Sequence, residues 1–228
     1  MMGKGRFKYT MLLASLPAHP PQLFSVTQTP LSRIQLNKRL ALLDMHDAED
    51  LRRIEELLHW SQITHATDEF IIKKSVEVVD SINDHFLKQI IIWRLELRTL
   101  LSALRMRHAG VKKPPKNTFP GIGRWVEAIE KYWDKNDFGI GHRVTWIIPA
   151  QQLLMQNKSY ELEKLLLDLV WHYYAEQCSQ HYFDFPAVVI YVLRWDIANR
   201  WSHYNADEAI KRFDGLVDAG LEGFVVDF

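Results

Sequence analysis

The 228-residue chain is short of cysteine, of net charge and of long apolar runs, and each shortage removes a class of protein. Its single cysteine, Cys178, has no partner for an intramolecular disulfide, so neither a disulfide framework nor a cysteine zinc site is available. That usage fits a reducing compartment. The 28 basic side chains balance 28 acidic ones, which leaves no overall field to draw in nucleic acid or an anionic surface. Any electrostatic role has to be local. The longest unbroken apolar run extends from Phe185 to Leu193, far short of the roughly 20 residues that a membrane-spanning helix requires, so no direct membrane insertion is expected. Lys4, Arg6 and Lys8 ahead of Met11 to Leu16 imitate a secretion signal, but with about half its usual apolar length; the segment is read as part of the fold.

What the chain does have is apolar mass. Apolar residues make up 47% and aromatics 12%, which excludes a disordered or fibrous protein and supplies a sizeable core. Pro17, Pro20 and Pro21 stop regular structure after a short apolar segment that fits either a strand or a helical turn. Beyond Pro30 the spacing is helical. Leu31, Ile34, Leu36, Leu40 and Leu43 predict one helix, and Leu51, Ile54, Leu57, Leu58 and Trp60 a second, preceded by an acidic stretch suited to a positive helix N-terminus. A long element opens at Thr67 and runs to Gly110, with a joint at Asn83-Asp84. In its second half Phe86, Ile90, Trp93, Leu97, Leu100 and Leu104 form a core-facing stripe.

Residues 111–123, rich in proline, glycine and lysine, read as an exposed hinge between two halves of a single helical domain spanning residues 1–228. Helix resumes from Trp125 to Trp133, Pro149 interrupts or starts another, and Tyr160 to Tyr182 is a long amphipathic run. Asp184 is placed to cap a helix from Phe185 to Trp201, and Asn205 with Glu208 forms a capping-box pattern for a last helix. The expected fold is all-α, a multi-helix bundle of about eight helices without strands. A shift of 100 residues aligns Ile90, Arg94 and Leu97 with Ile190, Arg194 and Ile197, which fits either two pseudo-repeated halves or the helical period that any two such helices share.

Motifs for chemistry are sparse. Glu56 and His59 have the i, i+3 spacing of helical di-iron sites, which need that pair twice, and the pair does not recur. His46-Asp47 matches a dipeptide of metal-dependent phosphohydrolases, whose ion needs further converging ligands. Together His46, Asp47, Glu56 and His59 define a helical metal-dependent hydrolase as the alternative reading. Cys178 lies near His172 and His181, but a Cys-His nucleophile needs a third, orienting group. Gly121-Ile122-Gly123 lacks the preceding strand of a phosphate loop. The expectation is a non-enzymatic protein with no catalytic residue, cofactor, metal or small-molecule substrate.

One asymmetry stands out. From Arg94 to Arg124, eight bases face Glu96 alone, and Arg94, Arg98 and Arg105 follow helical spacing. This surface suits either the acidic segments 44–58 and 205–228 of the same chain or an anionic partner. Arg94, Arg98, Arg105 and Arg107 are the candidate partner contacts, with Trp93 and Leu97 holding the helix in the core.

Two stretches resemble a known family. Tyr9-Thr10-Met11-Leu12-Leu13-Ala14-Ser15-Leu16-Pro17 looks like the opening of bacterial proteins of the DUF2764 type, found with V-type ATPase genes. Trp93 to Gly110 looks like that family's helix, with Glu96, Arg98, Ala103-Leu104-Arg105, Arg107 and Gly110 in its pattern. Tyr191 to Trp201 followed by Asn205 to Val217 is similar in kind. The family is in turn similar to the rotor-cap component of V/A-type ATPases, designated C there and d in the eukaryotic enzymes, which caps the membrane rotor ring and seats the central stalk. A typical rotor cap of that type is longer and has three pseudo-repeated helical bundles. The resemblance implies a non-catalytic coupling or assembly protein whose partners are stalk and rotor-ring subunits, cytoplasmic and peripheral to the inner membrane through that complex. A stand-alone helical adaptor is the other non-enzymatic reading.

Overall fold

A computed structural model describes residues 7–59 and 68–222, with side chains described from 7 to 59 and from 70 to 204. Lys4, Arg6, Trp60, Thr67, the side chains of Asn205 and Glu208, and the acidic side chains beyond residue 205 lie outside the described residues. Among the described residues there are nine α-helices, one short 3-10 turn at Leu23–Ser25 and no strand, so the fold is all-α as its periodicity predicted. The chain divides into two compact units. Residues 1–43 and 171–228 form the first, and residues 44–170 the second. The segment 111–123 therefore lies inside the second unit, and the divisions fall at Leu43–Asp44 and Val170–Trp171.

In the first unit, α1 (Thr10–Ala14) is a turn and a half of helix, which resolves the strand-or-turn ambiguity at this point in favour of helix. α2 (Arg33–Leu40) starts at a reciprocal cap: Ser32 Oγ accepts from the Gln35 amide and Gln35 Oε1 accepts from the Ser32 amide. α9 (Phe185–Glu222) starts where Asp184 accepts from the Ala187 amide at 3.2 Å, with Pro186 in its first turn, where a missing N–H costs nothing. From Ala187 to Leu193 α9 is buried on every side, the fate of an all-apolar helical stretch. The break expected before Asn205 is absent. α9 runs through that position because nothing between Pro186 and Gly215 interrupts the backbone ladder, so a capping-box pattern in sequence did not start a new helix.

The second unit holds α3 (Met45–Leu58), α4 (Asp68–Ser81), α5 (His85–His108), α6 (Val126–Lys131), α7 (Ile147–Met155) and the first part of α8 (Ser159–Cys178). Asp44 and Asp84 cap α3 and α5 by accepting from the Asp47 and Leu87 amides, so the expected joint at Asn83-Asp84 is real. α5 is the centre of the unit and packs against α3, α4, α6 and α7. Cover from so many neighbours widens its buried face beyond one stripe. Ile90, Leu97, Leu100 and Leu104 are buried as expected, while Phe86 and Trp93 are half-buried, and Arg94 and Glu96 go inside with Leu87, Ile91 and Leu95. No described helix is long and apolar enough to cross a membrane.

Candidate partner-binding surface

The basic stretch that follows α5 takes its shape from two buried carboxylates. Glu96 of α5 accepts from the Arg124 amide at 3.0 Å and lies 3.3 Å from Arg124 Nε, while Thr99 Oγ1 accepts from the Ile122 amide at 3.0 Å. Glycine is required on this stretch by contact, not by phosphate binding. A Cβ on Gly121 would lie 2.6 Å from Thr99 Cγ2, and one on Gly123 would lie 2.7 Å from Glu96 Oε1 and closer still to Cγ. The Gly121-Ile122-Gly123 pattern is thus a close approach of backbone to helix.

Glu130 of α6 does the same for the other end of the segment. Its two oxygens accept from the amides of Asn117, Thr118 and Phe119 at 2.9, 2.9 and 3.0 Å. Those bonds, the one from Phe119 first, hold its carboxyl below the ordinary glutamate value against the opposing effect of burial. Asn117 has φ of 62°, a conformation that asparagine tolerates better than most residues. Nothing in composition distinguished Glu130 from a surface acid. The available signal was its place beside Ile129 and Trp133, both buried, on the inner side of a one-and-a-half-turn helix.

The four candidate arginines separate. Arg94 is buried, at 6% exposure, so it does not present a charge to a partner. Arg98 is half-buried. Arg107 reaches across the chain: it donates to the carbonyls of Trp133 at 3.2 Å, Asn136 at 2.9 Å and Lys135, and its guanidinium lies 4.6 Å from the centre of the Phe138 ring. Burial lowers its pKa and Asp134 and Asp137 oppose that shift. Of the four, Arg105 is the exposed one. Of the four candidate contacts Arg105 is thus exposed, Arg98 and Arg107 are half-buried and Arg94 is buried, because α5 is covered on several sides and Arg107 serves as a clamp on the turn after α6.

That turn is tightly specified. Asp137 accepts from the amides of Gly139 at 2.9 Å and Gly141 at 3.1 Å, and these bonds, the Gly139 one first, lower its pKa. Gly139, with φ of 69°, lets Tyr132 lie against the backbone. Lys113 Nζ donates to the Lys131 carbonyl at the end of α6 at 3.3 Å.

The hydrolase candidates do not converge. His46 and Glu56 are ten residues apart on α3, which at helical rise separates them by about 15 Å. His46 Nδ1 is 3.5 Å from Asp50, whereas Glu56 is bound by Arg52 and by Lys74 at 3.4 Å. Among the described residues no group of three His, Cys, Asp or Glu side chains is placed to hold a metal ion. In the first unit, the Cys178 thiol contacts the His181 carbonyl at 3.9 Å, and the His181 ring pairs with Asp184 at 2.6 Å. Burial raises the Cys178 pKa, the opposite of what a thiolate nucleophile requires.

The first unit has its own polar seam, where the proline segment meets α8 and α9. Pro17, Pro20 and Pro21 offer carbonyls that accept from Tyr191 Oη at 3.0 Å, Arg194 at 3.5 Å and Trp171 Nε1 at 3.1 Å. His19 Nε2 lies 3.0 Å from the Tyr191 carbonyl, so that nitrogen carries the proton. Burial lowers the His19 pKa to about 4 and raises that of Tyr191 to about 12.

Residues 33–223 match the model of a family described as Protein of unknown function (DUF2764). The chain belongs to the DUF2764 family. No curated protein and no solved structure matches it. The DUF2764 match starts at the first residue of α2 and takes in α5, both carboxylate clamps and all four candidate arginines, while the Tyr9 to Pro17 stretch lies ahead of it.

Proposed function

We propose that this DUF2764 protein is a non-catalytic accessory or rotor-cap component of a bacterial V-type sodium or proton ATPase, of the C-like kind, linking or assembling the stalk and the membrane rotor ring. It works at the cytoplasmic side of the membrane through protein contacts. The observation that carries this reading is how α5 is built into its unit: a 24-residue helix whose Glu96, Thr99 and Arg107 fasten the segments that follow it. A part that transmits force or fixes a geometry has to resist bending. Side chains that bond their own backbone, with exposed bases left around them, suit that task better than they suit turnover of a small substrate. The sequence resemblance of Tyr9 to Pro17 and Trp93 to Gly110 supplies the machine. Co-purification tests the reading: a tagged chain recovered in mild detergent brings down ATPase stalk and rotor-ring subunits, and their reproducible absence would remove it.

A further inference from the structure

The residues from Glu127 to Asp137 carry four acids and two bases, so their sequence reads as a weakly acidic stretch. At the surface the stretch is balanced, with Glu127 and Asp134 exposed beside Lys131 and Lys135. Glu130 turns inward to three amides, and Asp137 is engaged by the amides of Gly139 and Gly141. Lys131 and Lys135 stay outside, with their ammonium groups 5.2 and 4.8 Å from the centre of the Tyr132 ring. Lys113 joins them through its bond to the Lys131 carbonyl, and Lys112 and Lys116 are exposed on the same loop. None of these five lysines makes a close ion pair with a described residue, while Lys116 and Lys135 act at longer range on Glu130 and Asp137. Against Glu127, Asp134 and the half-buried Asp137, the surplus of positive charge comes from Lys112, Lys113 and Lys116 of the preceding loop.

We propose that Lys113, Lys131, Tyr132 and Lys135 form a docking surface for a carboxylate-rich segment of a partner protein. This refines which face of the chain meets a partner in the reading above, and its own test uses no ATPase component. Ammonium groups held around a fixed phenol present several charged donors and one neutral donor to carboxylate oxygens. Tyr132 does not offer a stacking platform for a nucleobase, because its ring lies against Gly139, where a Cβ would come within 3.3 Å of Tyr132 Cδ2, and two ammonium groups of its own chain flank it. Zero net charge over the whole chain likewise disfavours a long polyanion over a short acidic segment.

The test measures binding of the full chain to a fluorescent ten-residue glutamate peptide by anisotropy at low and physiological salt. Single-stranded DNA of ten nucleotides and vesicles containing anionic lipid serve as competing probes. The wild type binds the peptide in a salt-sensitive way, and Lys131→Glu/Lys135→Glu weakens it about tenfold or more. Lys131→Gln/Lys135→Gln, which removes the charges without reversing them, gives a smaller loss in the same direction. Lys73→Glu/Lys158→Glu makes the same change in net charge at exposed positions on α4 and ahead of α8, and leaves binding within about twofold. Equal loss in this control, no peptide binding at low salt, or tighter binding to DNA or vesicles than to the peptide overturns the proposal.

Discussion

The carboxylate of Glu96 fills the space in which any side chain on Gly123 would have to sit. A Cβ there lies 2.7 Å from Glu96 Oε1, and the backbone φ of 93° at Gly123 is itself unfavourable for an L side chain. Gly123→Ala therefore meets two penalties, and its expected cost is about 3 kcal/mol in urea unfolding. Gly110, at the end of α5 with φ of 79°, has open space around its Cβ position. Gly110→Ala meets strain alone, about 1 kcal/mol. Equal costs at the two sites would show that contact with Glu96 contributes nothing.

Arg105 and Arg107 are two residues apart on α5 and do different work. Arg107→Ala removes the guanidinium donor from three carbonyls, of which that of Lys135 keeps the Phe138 amide, and uncovers the Phe138 ring, for an expected loss of about 2 kcal/mol. Arg105→Ala, at an exposed position, stays within about 0.5 kcal/mol. Paired chemical denaturation curves decide it, and similar losses for both would contradict the clamp.

Glu130 gives an acid-limb prediction. Its folded pKa lies below the ordinary value of 4.5, so it contributes stability above that pH and loses it as the pH falls through the folded value. Glu130→Gln should lower stability at pH 7 and flatten the decline below pH 4.5. A variant whose acid limb parallels that of the wild type would show that the three amide bonds do not act through the charged carboxylate.

His19 acts in a different window. Its pKa is about 4 in the folded chain against an ordinary 6.5, so the unfolded chain takes up the proton first and stability falls as the pH drops from 6.5 toward 4. The full shift corresponds to about 3 kcal/mol. His19→Phe keeps an aromatic ring against Trp171 and Tyr191 but does not titrate. The stability difference between wild type and variant should therefore shrink between pH 7.5 and 4.5; a constant difference would mean that His19 is protonated as readily folded as unfolded.

Much of the fold was legible because it depends on local spacing. The period of Ile90, Leu97, Leu100 and Leu104, the joint at Asn83-Asp84 and the cap at Asp184 are properties of a few adjacent residues, and they fall where expected. Asn205 was misread because a capping pattern competes with an uninterrupted helix, and here the longer ladder prevailed. The arginines divide for another reason. Helical spacing tells which side chains share a face but not how many helices cover it, so the burial of Arg94 follows only from its neighbours. The lysine surface was hidden most completely, since only the fold brings Lys113 and its loop neighbours to Lys131 while Glu130 turns inward to amides more than ten residues away.

The most direct test of the central claim is recovery of the tagged protein from its own cells in mild detergent, followed by identification of what it carries. V-type ATPase stalk and rotor-ring subunits should be present in the wild-type sample and reduced in a folded Lys131→Glu/Lys135→Glu sample. A wild-type sample that reproducibly lacks both kinds of subunit contradicts the account.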